Sequence, residues 1–189
     1  MRIGSLFLFV FFCVGLTHAH EVNEAFFWFY QKGSTVEVKV ELPWTMRNAL
    51  LQYNPALEKS TDTKDFEETF VEYIKENLVL KDSDGAALRY EEYEALENKG
   101  HSHQSSYLIR FKGARLSEVT NTIMFALYEN QVNYNMTGID LKKVTYKTKR
   151  GVSSFKLKGD TNSNYKYLLL LFVPALYFAY RYRNRSQAT

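Results

Sequence analysis

The fold of this chain is decided by the stretch Ala25-Phe-Phe-Trp-Phe-Tyr30, Gln31-Lys-Gly-Ser34, Thr35-Val-Glu-Val-Lys-Val-Glu-Leu42. In residues 35–42 apolar residues occupy every second position and mostly charged residues lie between them, which predicts a half-buried strand. Residues 25–30 are apolar on both faces, as in a central strand covered on each side, and we interpret Phe26, Trp28 and Phe29 as core. The four residues between them fit a hairpin connection, and we expect the two strands to pair antiparallel.

Five further segments show strand patterning, with alternating apolar residues or β-branched and aromatic residues between turn signals. The first of them also suits a helix, because Ala, Leu and Glu favour helix formation. The five segments are Ala87–Ala95, Ser106–Phe111, Thr122–Tyr128, Ile139–Tyr146 and Val152–Leu157.

Two helices are predicted after the second strand. The first covers Met46–Tyr53, with Thr45 as its N-cap and Asn54-Pro55 as its stop. The second covers Lys64–Val79, where apolar residues recur on one face and acidic residues fill the first turn. The sequence therefore predicts a mainly β, α+β fold: a sandwich-like antiparallel β domain with a helical insertion after strand 2.

The first 19 residues have the features of a secretory signal peptide. Arg2 gives the positive start, residues 3–16 are apolar and uncharged, and Thr17-His18-Ala19 places small residues at positions −3 and −1 of a cleavage site. We expect cleavage after Ala19, which makes His20 the mature N-terminus; an uncleaved anchor is the alternative. The single cysteine of the chain, Cys13, belongs to this segment.

A second apolar segment lies near the C-terminus. Residues 168–180 are uncharged and mostly apolar, and tyrosines flank them, which indicates a short transmembrane helix. Three arginines at its end favour a cytoplasmic C-terminus; a buried C-terminal helix of the domain is the alternative. We thus expect a single-pass protein of the cell membrane with this organisation: signal peptide 1–19, extracytoplasmic β-rich domain 20–158, linker 159–166, transmembrane helix 167–182 and cytoplasmic tail 183–189.

The charge distribution argues against nucleic-acid binding. The whole chain has a formal net charge of +3, but five basic residues lie in the two terminal segments. Residues 20–164 hold 19 Lys and Arg against 21 Asp and Glu, a net charge of −2. The domain therefore lacks the basic excess that a nucleic-acid partner requires. The expected partners are the membrane, through residues 167–182, and a protein of the cell envelope.

Four stretches follow one another along the domain: Ala19-His-Glu21, Leu42-Pro-Trp-Thr-Met-Arg-Asn-Ala-Leu50, Phe70-Val-Glu-Tyr-Ile-Lys75 and Phe125-Ala-Leu-Tyr-Glu-Asn-Gln-Val-Asn133. This series resembles a family of small exported bacterial β-rich proteins classed as a domain of unknown function, over about residues 20–158. The start at residues 19–22, followed by Val36–Trp44, is also faintly similar to exported domains of hydrogenase and urease accessory nickel permeases. The first resemblance implies an exported β-rich fold and supplies no established activity.

Three histidines form a candidate metal site. A mature N-terminal His20 would offer an amino nitrogen and an imidazole, and His101 and His103 could add two further nitrogen ligands. Nitrogen ligands of this kind suit copper, and less well nickel or zinc. The alternative is that the two later histidines belong to a solvated loop, residues 100–106, and that His20 is a frayed terminus.

A basic stretch without acidic residues covers positions 141–159. It could rest on anionic lipid head groups beside the anchor. The alternative is that its lysines lie on exposed edge strands, where charge blocks unwanted pairing. The basic residues are Lys142, Lys143, Lys147, Lys149, Arg150, Lys156 and Lys158.

No motif of a known catalytic site is present in the sequence, such as a nucleophile elbow, a zinc-protease helix or a phosphate-binding loop. We therefore expect a binding or accessory module rather than an enzyme. The alternative function is copper or nickel handling through the mature N-terminal histidine.

Overall fold

A computed structural model describes residues 22–97, 104–138 and 143–157 of the chain. The chain divides into two units, residues 1–156 and 157–189, and all the described helices and strands belong to the first. The elements are β1 (Glu24–Lys32), β2 (Thr35–Pro43), α1 (Met46–Tyr53), a 3-10 helix (Pro55–Lys59), α2 (Thr63–Asn77), β3 (Leu78–Asp82), β4 (Arg89–Leu96), β5 (Gln104–Lys112), β6 (Leu116–Asn121), β7 (Val132–Thr137), β8 (Val144–Thr148) and β9 (Ser154–Lys156).

The strands form two sheets, one of six strands in the order β4-β5-β2-β1-β7-β8 and one of three in the order β3-β6-β9. The predicted β1–β2 hairpin is confirmed, with Phe29 opposite Val38 in an antiparallel register. The helical insertion after the second strand is also confirmed, because α1 and α2 lie between β2 and β3. One pairing departs from the predicted antiparallel pattern: β7 runs parallel to β1. The chain is therefore a β-rich α+β protein whose larger sheet is mixed.

The core lies on one face of the six-stranded sheet. On β1 and β2 every second side chain points into it, and Phe27, Phe29, Val38 and Val40 are completely buried. Helix α2 and the three-stranded sheet cover this face; Phe29 contacts the ring of Phe155 on β9, with 6.5 Å between the ring centroids. Burial of each such side chain stabilises the fold by about 1.5–3 kcal/mol.

The alternate residues of β1 lie on the opposite face of the sheet, so the core interpretation is right for Phe29 and wrong for Phe26 and Trp28, which are half-buried. Phe26 stacks on Trp28 and on Tyr134 of β7, with ring centroids 6.2 and 5.1 Å apart. Lys39 lies over the Trp28 ring and Lys147 over the Tyr134 ring. The rings and lysine stems shield one another in a ladder across the strands, which allows a half-buried sheet face to carry large aromatic side chains.

The boundaries of the helices differ in part from the predictions. The range of α1 and the N-cap position of Thr45 are as predicted, but the Thr45 side chain makes no capping hydrogen bond, because its Oγ1 donates to the Val22 carbonyl at 3.1 Å. In α2 the N-cap is Asp62, whose side chain accepts from the Lys64 N–H at 2.9 Å. The helix ends at Asn77 instead of Val79, since residues 78–82 form β3.

Strand prediction was right for β4 and β5 and wrong for residues 122–128, which form turns instead of a strand. Strands β3, β6 and β7 were not predicted. For the predicted strand 139–146, residues 139–142 lie outside the described residues, and β8 begins at Val144. Strand β9 is shorter than predicted, at three residues. The helix alternative for residues 87–95 is wrong, because β4 pairs with β5.

None of the helices formed by residues 22–97, 104–138 and 143–157 is long and apolar enough to cross a membrane. The predicted signal peptide, residues 1–19, and the predicted transmembrane helix, residues 167–182, both lie outside these ranges.

Candidate binding pocket

A pocket of about 360 Å³ opens between the two helices and the ends of strands β4 and β5. It lies on the core face of the larger sheet, where α1 and α2 leave the last residues of β4 and the first residues of β5 uncovered. Aromatic and aliphatic side chains form most of its wall. The lining residues are Pro43, Trp44, Met46, Arg47, Leu50, Thr63, Phe66, Glu67, Phe70, Tyr93, Ala95, Ser105 and Tyr107.

The rim of the pocket is formed where β2 turns into α1. Pro43 ends the strand, and the hydrogen bond from Thr45 to Val22 fixes the turn before the helix begins. Met46 and Leu50 of α1 are buried, whereas Trp44 is 61% exposed. An exposed tryptophan beside an aromatic pocket is typical of a site that contacts a partner, because tryptophan provides large contact area at low entropic cost.

Three rings from three elements form the floor. Phe70 of α2 lies against Tyr107 of β5 and Tyr93 of β4, at centroid distances of 4.8 and 5.1 Å, and the two tyrosines are 6.0 Å apart. The rings are tilted against one another by 37–60°, so they form a concave surface instead of a flat stack. Burial, followed by the nearby Glu67 carboxylate, raises the pKa of Tyr93 above its usual value. Its hydroxyl is therefore a neutral hydrogen-bonding group at physiological pH.

Two opposite charges at the pocket, Arg47 and Glu67, have no ion-pair or hydrogen-bond partner among the described residues. The Arg47 guanidinium lies over the Phe66 ring, 5.3 Å from its centroid. Within residues 22–97, 104–138 and 143–157, neither Arg47 nor Glu67 is within 4.0 Å of an oppositely charged group, and neither side chain makes a hydrogen bond. Unpaired charges beside an apolar pocket are available to hold the polar atoms of a ligand.

The arrangement suits a ligand that inserts an apolar side chain and carries polar groups around it. The aromatic floor provides the apolar contact, and Arg47 and Glu67 can fix orientation through charge-assisted hydrogen bonds. Tryptophan, tyrosine and arginine are also the residue types that dominate binding energy in protein interfaces.

The residues that the sequence singled out for metal binding are not brought together by the described structure. His20, His101 and His103 all lie outside the described residues. Among the residues that are described, no group of three His, Cys, Asp or Glu side chains is arranged to hold a metal ion. The copper or nickel site therefore stays a prediction.

The described part of the basic stretch lies on edge strands. Strand β8 is at one end of the six-stranded sheet and β9 at one end of the smaller sheet. Lys143, Lys147 and Lys149 are exposed along β8. These positions agree with the edge-strand interpretation; contact with lipid head groups stays a prediction.

Sequence reasoning missed the pocket, although it singled out two stretches that line it. Residues 42–50 contribute Trp44 and Arg47, and residues 70–75 contribute Phe70. The available signal was Trp44, an aromatic residue between the end of a predicted strand and the start of a predicted helix. Tyr93 and Tyr107 also follow a period of two in β4 and β5, but nothing in the sequence showed that α2 leaves the last residues of β4 and the first residues of β5 uncovered.

No protein-family model and no curated protein sequence matches this chain. The resemblance to an exported bacterial family therefore stays a prediction, and a function has to be argued from the pocket and the sequence.

Proposed function

We propose that the protein is a membrane-tethered binding module whose extracytoplasmic domain holds a segment of an envelope protein in the pocket around Trp44. The tether and the location rest on the predicted signal peptide, residues 1–19, and on the apolar segment 167–182. The observation that carries the binding role is the combination of an aromatic pocket, an exposed tryptophan and two unpaired charges.

A protein segment fits this pocket better than a small apolar molecule. The pocket is open to solvent on one side, and Trp44 projects beside the opening instead of closing it. Small-molecule sites usually bury most of the ligand surface, whereas a protein partner can cover the exposed tryptophan and the pocket together. Protein interfaces place such aromatic anchors at their centre and polar groups at the rim.

The proposal is tested by photo-crosslinking from the rim of the pocket. The full chain would be expressed in its native membrane with benzoylphenylalanine in place of Trp44, and separately in place of Tyr30. Tyr30 is the matched control, because it is 43% exposed but lies on the other face of the sheet. We expect one defined crosslinked species from position 44, at least about 10-fold more abundant than from position 30, since a fitted interface has a fixed partner.

A second variant distinguishes specific binding of a partner from non-specific crosslinking. Arg47→Ala in the Trp44 probe background should reduce the crosslinked species by about 5-fold or more, because a hydrogen bond to a charged group contributes about 1.5–3 kcal/mol. Thr63→Ala, also at the pocket wall, provides an uncharged comparison. Equal crosslinking from positions 44 and 30, or a smear of many products, would refute the proposal.

A further inference from the structure

The two edges of the six-stranded sheet carry opposite charges. Strand β4 forms one edge, pairing only with β5 among the described strands, and β8 forms the other, pairing there only with β7. Residues 89–96 contain three glutamates and one arginine, a net charge of −2. Glu92 and Glu94 also share Arg110 of the neighbouring β5, at 2.8 and 3.3 Å, and both remain exposed. Residues 143–150, which include β8, contain three lysines and one arginine and no acid, a net charge of +4.

The two edges also match in length. A bulge interrupts β4 between Tyr90 and Glu92, so Glu92–Leu96 is the regular part of the strand. This part has five residues, the same number as β8, Val144–Thr148. Each edge presents backbone N–H and C=O groups that the described part of the chain leaves without a strand partner.

The strand directions determine how two copies can meet. Between β4 and β8 the sheet has four antiparallel steps and one parallel step, so the two edge strands run in the same direction. A second copy that continues the sheet with the same face outward therefore brings its β8 alongside β4 in parallel register. On the outer face Glu92 and Glu94 of one copy then lie beside Thr145 and Lys147 of the next.

Charge distinguishes this contact from the other two edge pairings. A two-fold contact between two β4 strands places glutamates beside glutamates. A contact between two β8 strands brings Lys147 and the flanking Lys143 and Lys149 close to the same lysines of the other copy. Like charges directly opposite each other destabilise strand pairing, and opposite charges stabilise it. The lysines of β8 thus block pairing of β8 with itself but favour β4 as a neighbour.

We infer that copies of this chain associate head to tail, with β8 of one copy added to the β4 edge of the next. The contact is heterologous, so each added copy leaves one β4 edge and one β8 edge open, and the association extends as a row of domains. The inference does not depend on the pocket, because it uses the backbone edge of β4 and side chains of the outer face. Anchoring in one membrane would raise the local concentration of the copies and promote the contact.

Cysteine crosslinking of the full chain tests this contact. In a Cys13→Ser background the chain has no other cysteine, so single variants Glu92→Cys and Thr145→Cys each carry one thiol on the outer face of an edge strand, at positions that are neighbours in this contact and leave Glu94 and Lys147 in place. The two purified variants would be mixed in membrane vesicles and oxidised. We expect 92–145 heterodimers to exceed 92–92 and 145–145 homodimers by about 10-fold, and a chain with both cysteines to form a ladder of trimers and larger products.

Two controls make the result decisive. A mixture of Lys59→Cys and Glu129→Cys chains, with both thiols on exposed positions away from the strand edges, measures random collision. Lys147→Glu in the Thr145→Cys chain should reduce heterodimers about 10-fold, and Glu94→Lys in its Glu92→Cys partner should restore them, since the pair of charges is then reversed. Three results would each overturn the inference. They are heterodimers no more abundant than in the collision control, an excess of homodimers, and a heterodimer yield that does not change when the charges are reversed.

Discussion

Asn133→Ala is expected to lower the free energy of unfolding by about 3–4 kcal/mol, because it breaks a completely buried hydrogen-bond network. The Asn133 side chain donates to Asn121 Oδ1 at 2.9 Å and to the Ile123 carbonyl at 3.1 Å, and it accepts from Gln131 Nε2 at 2.9 Å. Asn121, Ile123, Gln131 and Asn133 are all fully buried. Truncation therefore leaves several polar groups without a partner in a place that water does not reach, at a cost of about 1–3 kcal/mol each.

The measurement is urea unfolding of the full chain in detergent, followed by tryptophan fluorescence, with Asn130→Ala as the matched control. Asn130 precedes the network and its side chain is exposed, so its replacement should change stability by less than about 0.5 kcal/mol. A loss below about 1 kcal/mol for Asn133→Ala would show that the buried amides do not hold the two sheets together as the structure indicates.

The same network explains why β7 could not be predicted. Its inward-facing residues are Asn133, Asn135 and Thr137, so the core side of the strand is polar and its outer side carries Tyr134 and Met136. A search for alternating apolar residues therefore places the wrong face inward or finds no strand. The buried amides are accepted because they bond to one another and to Thr148 of β8.

Residues 122–128 mislead for the opposite reason. The apolar residues Ile123 and Met124 are completely buried, as in a strand, but they belong to a turn between β6 and β7. Met124 has a φ of 62°, a left-handed conformation that no strand contains and that non-glycine residues rarely adopt. The hydrophobic pattern reports burial here but not the backbone conformation, which the long-range contacts of Tyr73 and Asn133 impose.

The hairpin, α1, β4 and β5 were predictable because local pattern and tertiary environment agree in them. In β2 the alternation in the sequence is the alternation in the structure, with Val36, Val38, Val40 and Leu42 all buried. The pocket depends instead on how far α2 covers β4 and β5. The parallel β1–β7 pair depends on contacts between residues more than 100 positions apart in the sequence. Neither leaves a signal in a short window of sequence.

Tyr73 is expected to make the fold sensitive to alkaline pH. Its side chain is buried in α2, and its hydroxyl oxygen accepts a hydrogen bond from the Met124 N–H at 2.8 Å. Burial raises the pKa of Tyr73 above its usual value of 10.0; the Met124 N–H opposes this shift and Glu76 adds to it. The folded chain therefore holds the phenol in its neutral form at a pH where the unfolded chain has begun to lose the proton.

The sign of the effect follows from this difference. The stabilisation from neutral Tyr73 is fully present below the unfolded pKa of about 10 and is lost as the pH rises through the higher folded pKa. In that window unfolding releases a proton, and each released proton lowers the free energy of unfolding by about 1.4 kcal/mol per pH unit. Tyr53, Tyr90 and Tyr93 also have raised pKa values and add to the same dependence.

Tyr73→Phe isolates the contribution of this residue. At pH 7 we expect a loss of about 1–3 kcal/mol, because the buried Met124 N–H loses its acceptor while the left-handed backbone at Met124 still has to be held. Above pH 10 the variant should lose stability less steeply than the parent, so the difference between the two narrows. Tyr30→Phe, on the exposed face of β1, should match the parent at pH 7 within about 0.5 kcal/mol. A difference between Tyr73→Phe and the parent that stays constant from pH 7 to 11 would contradict the assignment, since only titration of Tyr73 itself makes it change with pH.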